Sequence, residues 1–277
     1  MAAILRSLRI GGRDFNWGAR TYVMGIVNVT PDSFSGDGVT DLETAVAQAR
    51  QMEQDGADLI DIGGESTRPE TWSGAGLSAE EELARVIPVV ERVAAAVAVP
   101  VSIDTYKASV AQRAIAAGAS LVNDVWGLRR DPQMALTIAR AAVPVVLMHN
   151  KPGGEYHDLI GEITSSLRES VASGRAAGIP EDRIVLDPGI GFGKTREENL
   201  EIIRRLPELR RLGFPLLIGP SRKSFIGKTL DLPAGDRLEG TAAAVALSIA
   251  GGVDIVRVHD VKAMVRVARM ADAILHT

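Results

Sequence analysis

Three polar residues, Asp104, Asn123 and Asp187, stand at the ends of short apolar runs, at 101–104, 121–124 and 184–187. A carboxylate accepts hydrogen bonds and an amide both donates and accepts, so three such groups converging on one pocket would read the edge of a polar heterocycle. Taken singly, each could instead cap a helix or bind backbone amides. Their basic counterpart is Ser221-Arg222-Lys223-Ser224 together with Arg257-Val258-His259, whose cations suit a phosphorylated ligand. Residues two apart on a strand share a face, so Arg257 and His259 point the same way. Asn28 ends another run and could ligate Mg²⁺ or donate to an anion, because Mg²⁺ takes oxygen ligands and is often shared with substrate phosphates. Glu65-Ser66-Thr67-Arg68-Pro69 follows the next run along.

The runs are what must position these groups. Eight strand-length apolar segments, at 23–28, 59–61, 101–104, 121–124, 143–149, 184–187, 214–221 and 255–259, each break into a polar residue where the strand should end. A helix-length segment follows nearly every one, which requires a parallel sheet. Eight such units in 277 residues predict one α/β domain, residues 1–277, folded as a (β/α)8 TIM barrel with its chemistry at the C-terminal ends of the strands. Loops after strands seven and eight of such barrels frequently form a phosphate site, which is where the basic residues fall. Residues 8–21, with Gly11-Gly12 at the middle, predict an N-terminal β-hairpin closing the bottom of the barrel.

Smaller signals agree. Gly56-Ala57-Asp58, Gly118-Ala119-Ser120 and Gly252-Val253-Asp254 each precede an apolar run and mark helix-to-strand turns. Asp41 and Ser78 are candidate helix caps, the second with Glu81 three residues on as a capping box. The connections 29–40 and 63–77 are long for a compact domain, as functional loops are. Gly189-Ile190-Gly191-Phe192-Gly193-Lys194-Thr195 imitates the end of a phosphate-binding P-loop, but Pro188 stands where the first glycine is needed, so it reads as a flexible loop.

Composition sets bounds. A net charge of −4 and 4% aromatic residues give no general attraction to nucleic acid or anionic membranes. The absence of cysteine excludes disulfides, thiolate nucleophiles and Cys-ligated zinc, and suits a reducing cytoplasm. Residues 1–12 carry Arg6 and Arg9 but no apolar core of a secretory signal, and the longest apolar stretches fall short of the ~18 residues of a membrane span. The expectation is a soluble cytoplasmic protein.

Asn28-Val29-Thr30-Pro31-Asp32-Ser33-Phe34, Asp61-Ile62-Gly63-Gly64-Glu65-Ser66-Thr67-Arg68-Pro69, Ser102-Ile103-Asp104-Thr105, Val122-Asn123-Asp124, the run from Leu186 to Lys194, Ser221-Arg222-Lys223-Ser224 and Arg257-Val258-His259-Asp260-Val261 together resemble the bacterial dihydropteroate synthases. They occur in family order along nearly the whole chain. The resemblance implies condensation of 4-aminobenzoate with 6-hydroxymethyl-7,8-dihydropterin diphosphate, giving 7,8-dihydropteroate and diphosphate for folate synthesis. It implies that Asp104, Asn123, Asp187 and Lys223 read the pterin edge with Arg257 against its face. Arg257, His259 and Asn28 would hold the diphosphate, with Mg²⁺ at Asn28, while Thr67, Arg68, Pro69, Phe34 and Ser224 shape the aminobenzoate site. Lys223, Arg257, His259 and Asn28 form the implied catalytic set. A homodimer through the late helices and competition by sulfonamides are further implications.

Two departures from the family pattern stand out. Gly36-Asp37-Gly38 moves an acid of the first loop by one position, which leaves Asp37 out of the catalytic set, and Asn150-Lys151-Pro152 departs from the usual continuation of Met148-His149. With no cysteine and no evident catalytic base, rate must come from helping diphosphate leave, which predicts a dissociative, SN1-like substitution. Two alternatives fit the same pocket: a methyltetrahydrofolate-type pterin methyltransferase, and a pterin-binding homologue without catalysis.

Overall fold

The computed structural model describes residues 7–29, 38–65, 76–233 and 235–275. Strands β1 (Ser7–Ile10) and β2 (Arg13–Asn16) pair antiparallel around Gly11 and Gly12, both at positive φ, as a two-residue hairpin turn demands. The remaining strands are β3 (Tyr22–Asn28), β4 (Leu59–Gly63), β5 (Val101–Asp104), β6 (Leu121–Asp124), β7 (Val145–Met148), β8 (Ile184–Asp187), β9 (Leu217–Ile218) and β10 (Ile255–Val258). All eight run parallel, in the order β8-β7-β6-β5-β4-β3-β10-β9. A bridge between Leu186 and Leu216, with the Leu186 N–H donating to the Pro215 carbonyl at 2.9 Å, joins the two ends of that order into a barrel. The eight expected runs are the eight strands, although those at 143–149 and 214–221 contain shorter strands than the apolar lengths suggested.

Alternation along each strand sorts the side chains into two layers. Ile60, Ile62, Ile103, Val122, Leu147, Leu186 and Val256 face outward into the apolar layer under the helices. Tyr22, Met24, Leu59, Leu121, Val146, Val185, Leu217 and Ile255 face inward at the lower end, where Leu8, Ile10, Phe15 and Trp17 of the hairpin close them off. Two residues further up the same inward rows stand Asp61, Asn123, Asp187 and Arg257. The register that packs the floor therefore delivers the polar groups to the top.

The helices are α1 (Gly38–Gln54), α2 (Ala79–Ala96), α3 (Ala108–Ala116), α4 (Met134–Ala141), α5 (Leu159–Ala176), α6 (Arg196–Arg204), α7 (Leu206–Arg210), α8 (Ser224–Leu230), α9 (Leu238–Ala250) and α10 (Val261–Leu275). Ser78 and Glu81 make the expected capping box of α2. Thr195 and Glu198 make another at α6, which the P-loop likeness of that segment concealed. Asp41 lies inside α1, so it is not the cap it was expected to be. The three Gly-led turns are present, and their last residues reach across to a neighbouring strand: Asp58 accepts the Val23 N–H at 2.9 Å and Asp254 accepts the Leu216 N–H at 2.9 Å. No helix among the described residues is long and apolar enough to cross a membrane.

Candidate active site

The inward row on β10 places Arg257 opposite β4 and β5, and its charge is not left alone. Its Nε donates to Asp61 Oδ2 at 2.6 Å and its Nη2 to Asp104 Oδ2 at 2.8 Å. Asp61 Oδ2 also accepts from Asn123 Nδ2 at 3.0 Å, so one buried carboxylate ties β4, β6 and β10 together. Asp61 carries no assigned role in the sequence, although it closes the run 59–61 as Asp104 closes 101–104. In the structure β4 continues to Gly63, and Asp61 shares the inward parity of Leu59, a signal that strand alternation contains. Burial pushes the Asp104 carboxyl up and Arg257 pulls it part of the way back. Asp61 Oδ1 and Asp104 Oδ1 are buried without a hydrogen-bond partner among the described residues. Buried acceptors left in this way cost free energy unless a ligand donates to them.

On the next side of the pocket, Asp187 ends β8 and its Oδ1 accepts the Gly189 N–H at 2.7 Å. Burial raises its pKa, and Lys223 works against that rise. Lys223 is the N-cap residue of α8; its Nζ donates to the Ile190 carbonyl and lies 4.5 Å from the centre of the Phe192 ring. Burial lowers the Lys223 pKa to about 8, with Asp187 opposing. Phe192 packs with Val125 and Met148, adding an apolar wall that was not assigned from sequence. The sequence places Asp104, Asn123, Asp187, Lys223 and Arg257 in one site, and the structure brings all five to one end of the barrel interior.

The expected cluster of cations is smaller than its residues suggested. Arg222, at φ +58, turns outward to pair with Asp260. His259 is held near pKa 4 by burial and by Arg257, so it is neutral at pH 7 rather than a cation. Its Nδ1 sits 3.0 Å from Ser221 Oγ, which also accepts the His259 N–H at 3.1 Å. Asn28 is the exposed last residue of β3, level with Gly63, and Ser224 is the exposed first residue of α8. Phe34, Asp37, Thr67, Arg68 and Pro69 have no described position: Phe34, Asp37 and the 67–69 stretch lie outside the described residues. The turn 189–193, expected to be flexible, is instead held by side chains from three directions.

Chain-wide similarity agrees with this geometry. Residues 24–259 match the family of pterin binding enzymes. The dihydropteroate synthase of Bacillus subtilis is 53% identical over 258 residues, covering 93% of this chain and 90% of that protein. The chain belongs to the dihydropteroate synthase family. A solved Xanthomonas albilineans dihydropteroate synthase with 4-aminobenzoic acid superposes with a TM-score of 0.92 at 43% identity, covering 98% of this chain and 99% of that one. The same organism's enzyme in complex with 7,8-dihydropteroate gives 0.89 at 42% identity, with the same coverage. The enzyme is thus a transferase of folate biosynthesis, making 7,8-dihydropteroate from 4-aminobenzoate and the dihydropterin diphosphate. These relatives are synthases, which decides against the methyltransferase alternative.

Proposed function

We propose that Asp104, Asn123, Asp187 and Lys223 bind the edge of the dihydropterin, with Arg257 along its face. The observation that carries this reading is the pair of orphaned buried acceptors beside Arg257, on Asp61 and Asp104, which a ring bearing amino and imino N–H donors would satisfy. Solved relatives hold 4-aminobenzoic acid and 7,8-dihydropteroate, which supports the same pocket here. Arg257 keeps its charge while two of its nitrogens are fixed by carboxylates, so it is oriented before substrate arrives. Such fixed charge stabilises the developing diphosphate without reorganisation during the reaction.

In the reaction the bond from the exocyclic methylene carbon to the diphosphate oxygen breaks, the aminobenzoate nitrogen bonds to that carbon, and the amine loses a proton. Departure ahead of attack makes it SN1-like, with the pterin sharing the positive charge. His259 and Ser221 offer neutral hydrogen bonds to the diphosphate, and Thr67, Arg68, Pro69, Phe34 and Ser224 form the aminobenzoate side. Asn28, exposed at the end of β3, offers an amide oxygen that would hold Mg²⁺, which would neutralise phosphate charge.

We further assign a homodimer in the cytoplasm. Helices α9 and α10 leave Leu247, Met270 and Ile274 more than 60% exposed, at 63%, 63% and 65%, an apolar surface that a second copy would cover. Leu247→Glu with Met270→Glu should yield a monomer by sedimentation, and an unchanged dimer would refute this contact. Sulfonamides should compete with aminobenzoate; normal turnover at saturating sulfonamide would refute that. The overall reading is tested by measuring diphosphate release from the dihydropterin substrate with and without aminobenzoate. Release that depends on aminobenzoate and yields dihydropteroate supports it; binding without release would instead fit the non-catalytic homologue.

A further inference from the structure

The turn between β8 and α6 looks in sequence like a loop whose amides could cradle an anion, but its polarity is reversed. Gly189 and Gly193 hold φ of +74° and +59°, and a Cβ on them would lie 2.0 Å from the His149 carbonyl oxygen and 2.1 Å from that of Lys151. Three of the turn's amides are taken up within the protein. Gly189 N–H donates to Asp187 Oδ1 at 2.7 Å, Gly191 N–H to Asn199 Oδ1 at 2.6 Å, and Phe192 N–H to the Gly189 carbonyl at 3.2 Å. The carbonyls face two lysines instead. Lys194 Nζ donates to the carbonyls of Gly189 at 2.9 Å and Phe192 at 3.1 Å, and lies 3.1 Å from His149 Nδ1, while Lys223 takes the Ile190 carbonyl.

Lys194 touches none of the groups assigned to substrate. Its amine is spent on two backbone carbonyls and a neutral imidazole, in a half-buried place where desolvation pulls its pKa down to about 7. Burying an amine there is costly, and an apolar side chain would avoid the cost. What the amine secures is the shape of the turn. That turn supplies the Gly189 N–H that orients Asp187, the Ile190 carbonyl that receives Lys223, and the Phe192 ring beneath the Lys223 ammonium.

We propose that Lys194 is a positioning residue for pterin recognition, clamping the 189–193 turn so that Asp187 and Lys223 are set for the ring before it binds. The proposal rests on the reading that Asp187 and Lys223 contact the pterin. It makes Lys194 a determinant of affinity for the ring rather than for the diphosphate, because Arg257, His259 and Ser221 are held by other elements.

The absence of cysteine from the chain offers a clean test. Lys194→Cys introduces a single thiol, which 2-bromoethylamine converts in denaturant to a thioether analogue of lysine before refolding. Affinities are measured for 6-hydroxymethylpterin and, separately, for inorganic diphosphate. Pterin affinity should fall at least about tenfold in Lys194→Cys and return after aminoethylation, with diphosphate affinity changed less than about twofold throughout; each order of magnitude is ~1.4 kcal/mol. Parental pterin affinity in Lys194→Cys would overturn the proposal, as would alkylation that restores melting temperature but not pterin affinity. Lys223→Met separates the two levels: if it leaves pterin affinity intact, the pocket reading fails, whereas loss there with parental binding by Lys194→Cys defeats the clamp alone. Should Lys194→Cys not fold, hydrogen exchange of the unaltered enzyme decides. The amides of Gly189, Gly191 and Phe192 should exchange slowly without pterin, and rapid exchange that slows only when pterin binds would overturn a preformed clamp.

Discussion

The two ends of the barrel interior are built from the same rows of inward positions and hold opposite chemistry. At the lower end, Tyr22, Leu59, Leu121, Val185 and Ile255 meet the hairpin residues Leu8, Ile10 and Phe15 with the apolar packing of any core. At the upper end, two residues along several of the same strands, Asp61, Asn123 and Asp187 bury charge and amide beside the half-buried Arg257. The lower end gains free energy by removing apolar surface from water, roughly 1.5–3 kcal/mol for each large side chain. The upper end gains little, since ion pairing only offsets the desolvation of its members. Its arrangement makes sense as a site kept in order for a ligand, with the floor supplying the stability that the site consumes.

Substitutions sharpen that contrast. The largest expected effect is at Asp61, itself fully buried, whose loss leaves the half-buried guanidinium with one carboxylate and the Asn123 amide without its acceptor. Asp61→Ala should cost about 3–5 kcal/mol in denaturant unfolding and abolish turnover. A small change in both would mean that Arg257 is organised by Asp104 alone. Next, Phe15→Ala on the floor should cost a similar 3–5 kcal/mol, yet leave kcat and KM within about twofold wherever the protein is folded. A large kinetic effect there would break the separation of the two ends.

Smaller effects concern single groups at the top. Lys223→Met should weaken pterin binding about tenfold or more, the scale of a charged hydrogen bond, without lowering the melting temperature, because a desolvated ammonium is removed. A marked loss of stability would make Lys223 a structural cation. The smallest effect is a pH dependence. Burial holds His149 near pKa 3 in the folded protein, against about 6.5 unfolded, so between these values the unfolded chain binds more protons. The stability His149 contributes is complete above pH 6.5 and is lost as pH falls toward 3. Asp104 and Asp124, raised by burial, act in the opposite sense, so the effect must be read as a difference. Relative to its parent, His149→Gln should gain stability steadily as pH falls from 6.5 to 4; a constant difference would mean that folding does not lower the His149 pKa.

Much of this arrangement was legible in the sequence because strand ends announce themselves. Asp104, Asn123 and Asp187 each close an apolar run, and the run carries the side chain to the top of the barrel. The hairpin was legible from Gly11-Gly12, and the inward sense of Arg257 from its spacing with His259. Asp61 closes the run 59–61 by the same signal, and what the run does not show is that it shares the inward parity of Leu59 and meets Arg257 across the barrel. The charge state of His259 escaped because titration depends on burial and on Arg257 across space. Arg222 and Lys223 look equivalent in sequence, but a left-handed backbone at Arg222 turns one outward to Asp260 while the other stays in the pocket. The role of Lys194 was hidden because glycine spacing describes where a turn bends and not which of its dipoles face inward.

The central claim is that the upper end works by stabilising the departing diphosphate with a charge fixed in advance. The most direct test is a rapid-quench single-turnover measurement on Arg257→Ala, with dihydropterin diphosphate and aminobenzoate both saturating. The account predicts that the rate of carbon–oxygen cleavage itself falls by about a hundredfold or more, the scale of losing one preorganised electrostatic contact to the transition state. A cleavage rate equal to that of the parent, with only substrate affinity reduced, would contradict it.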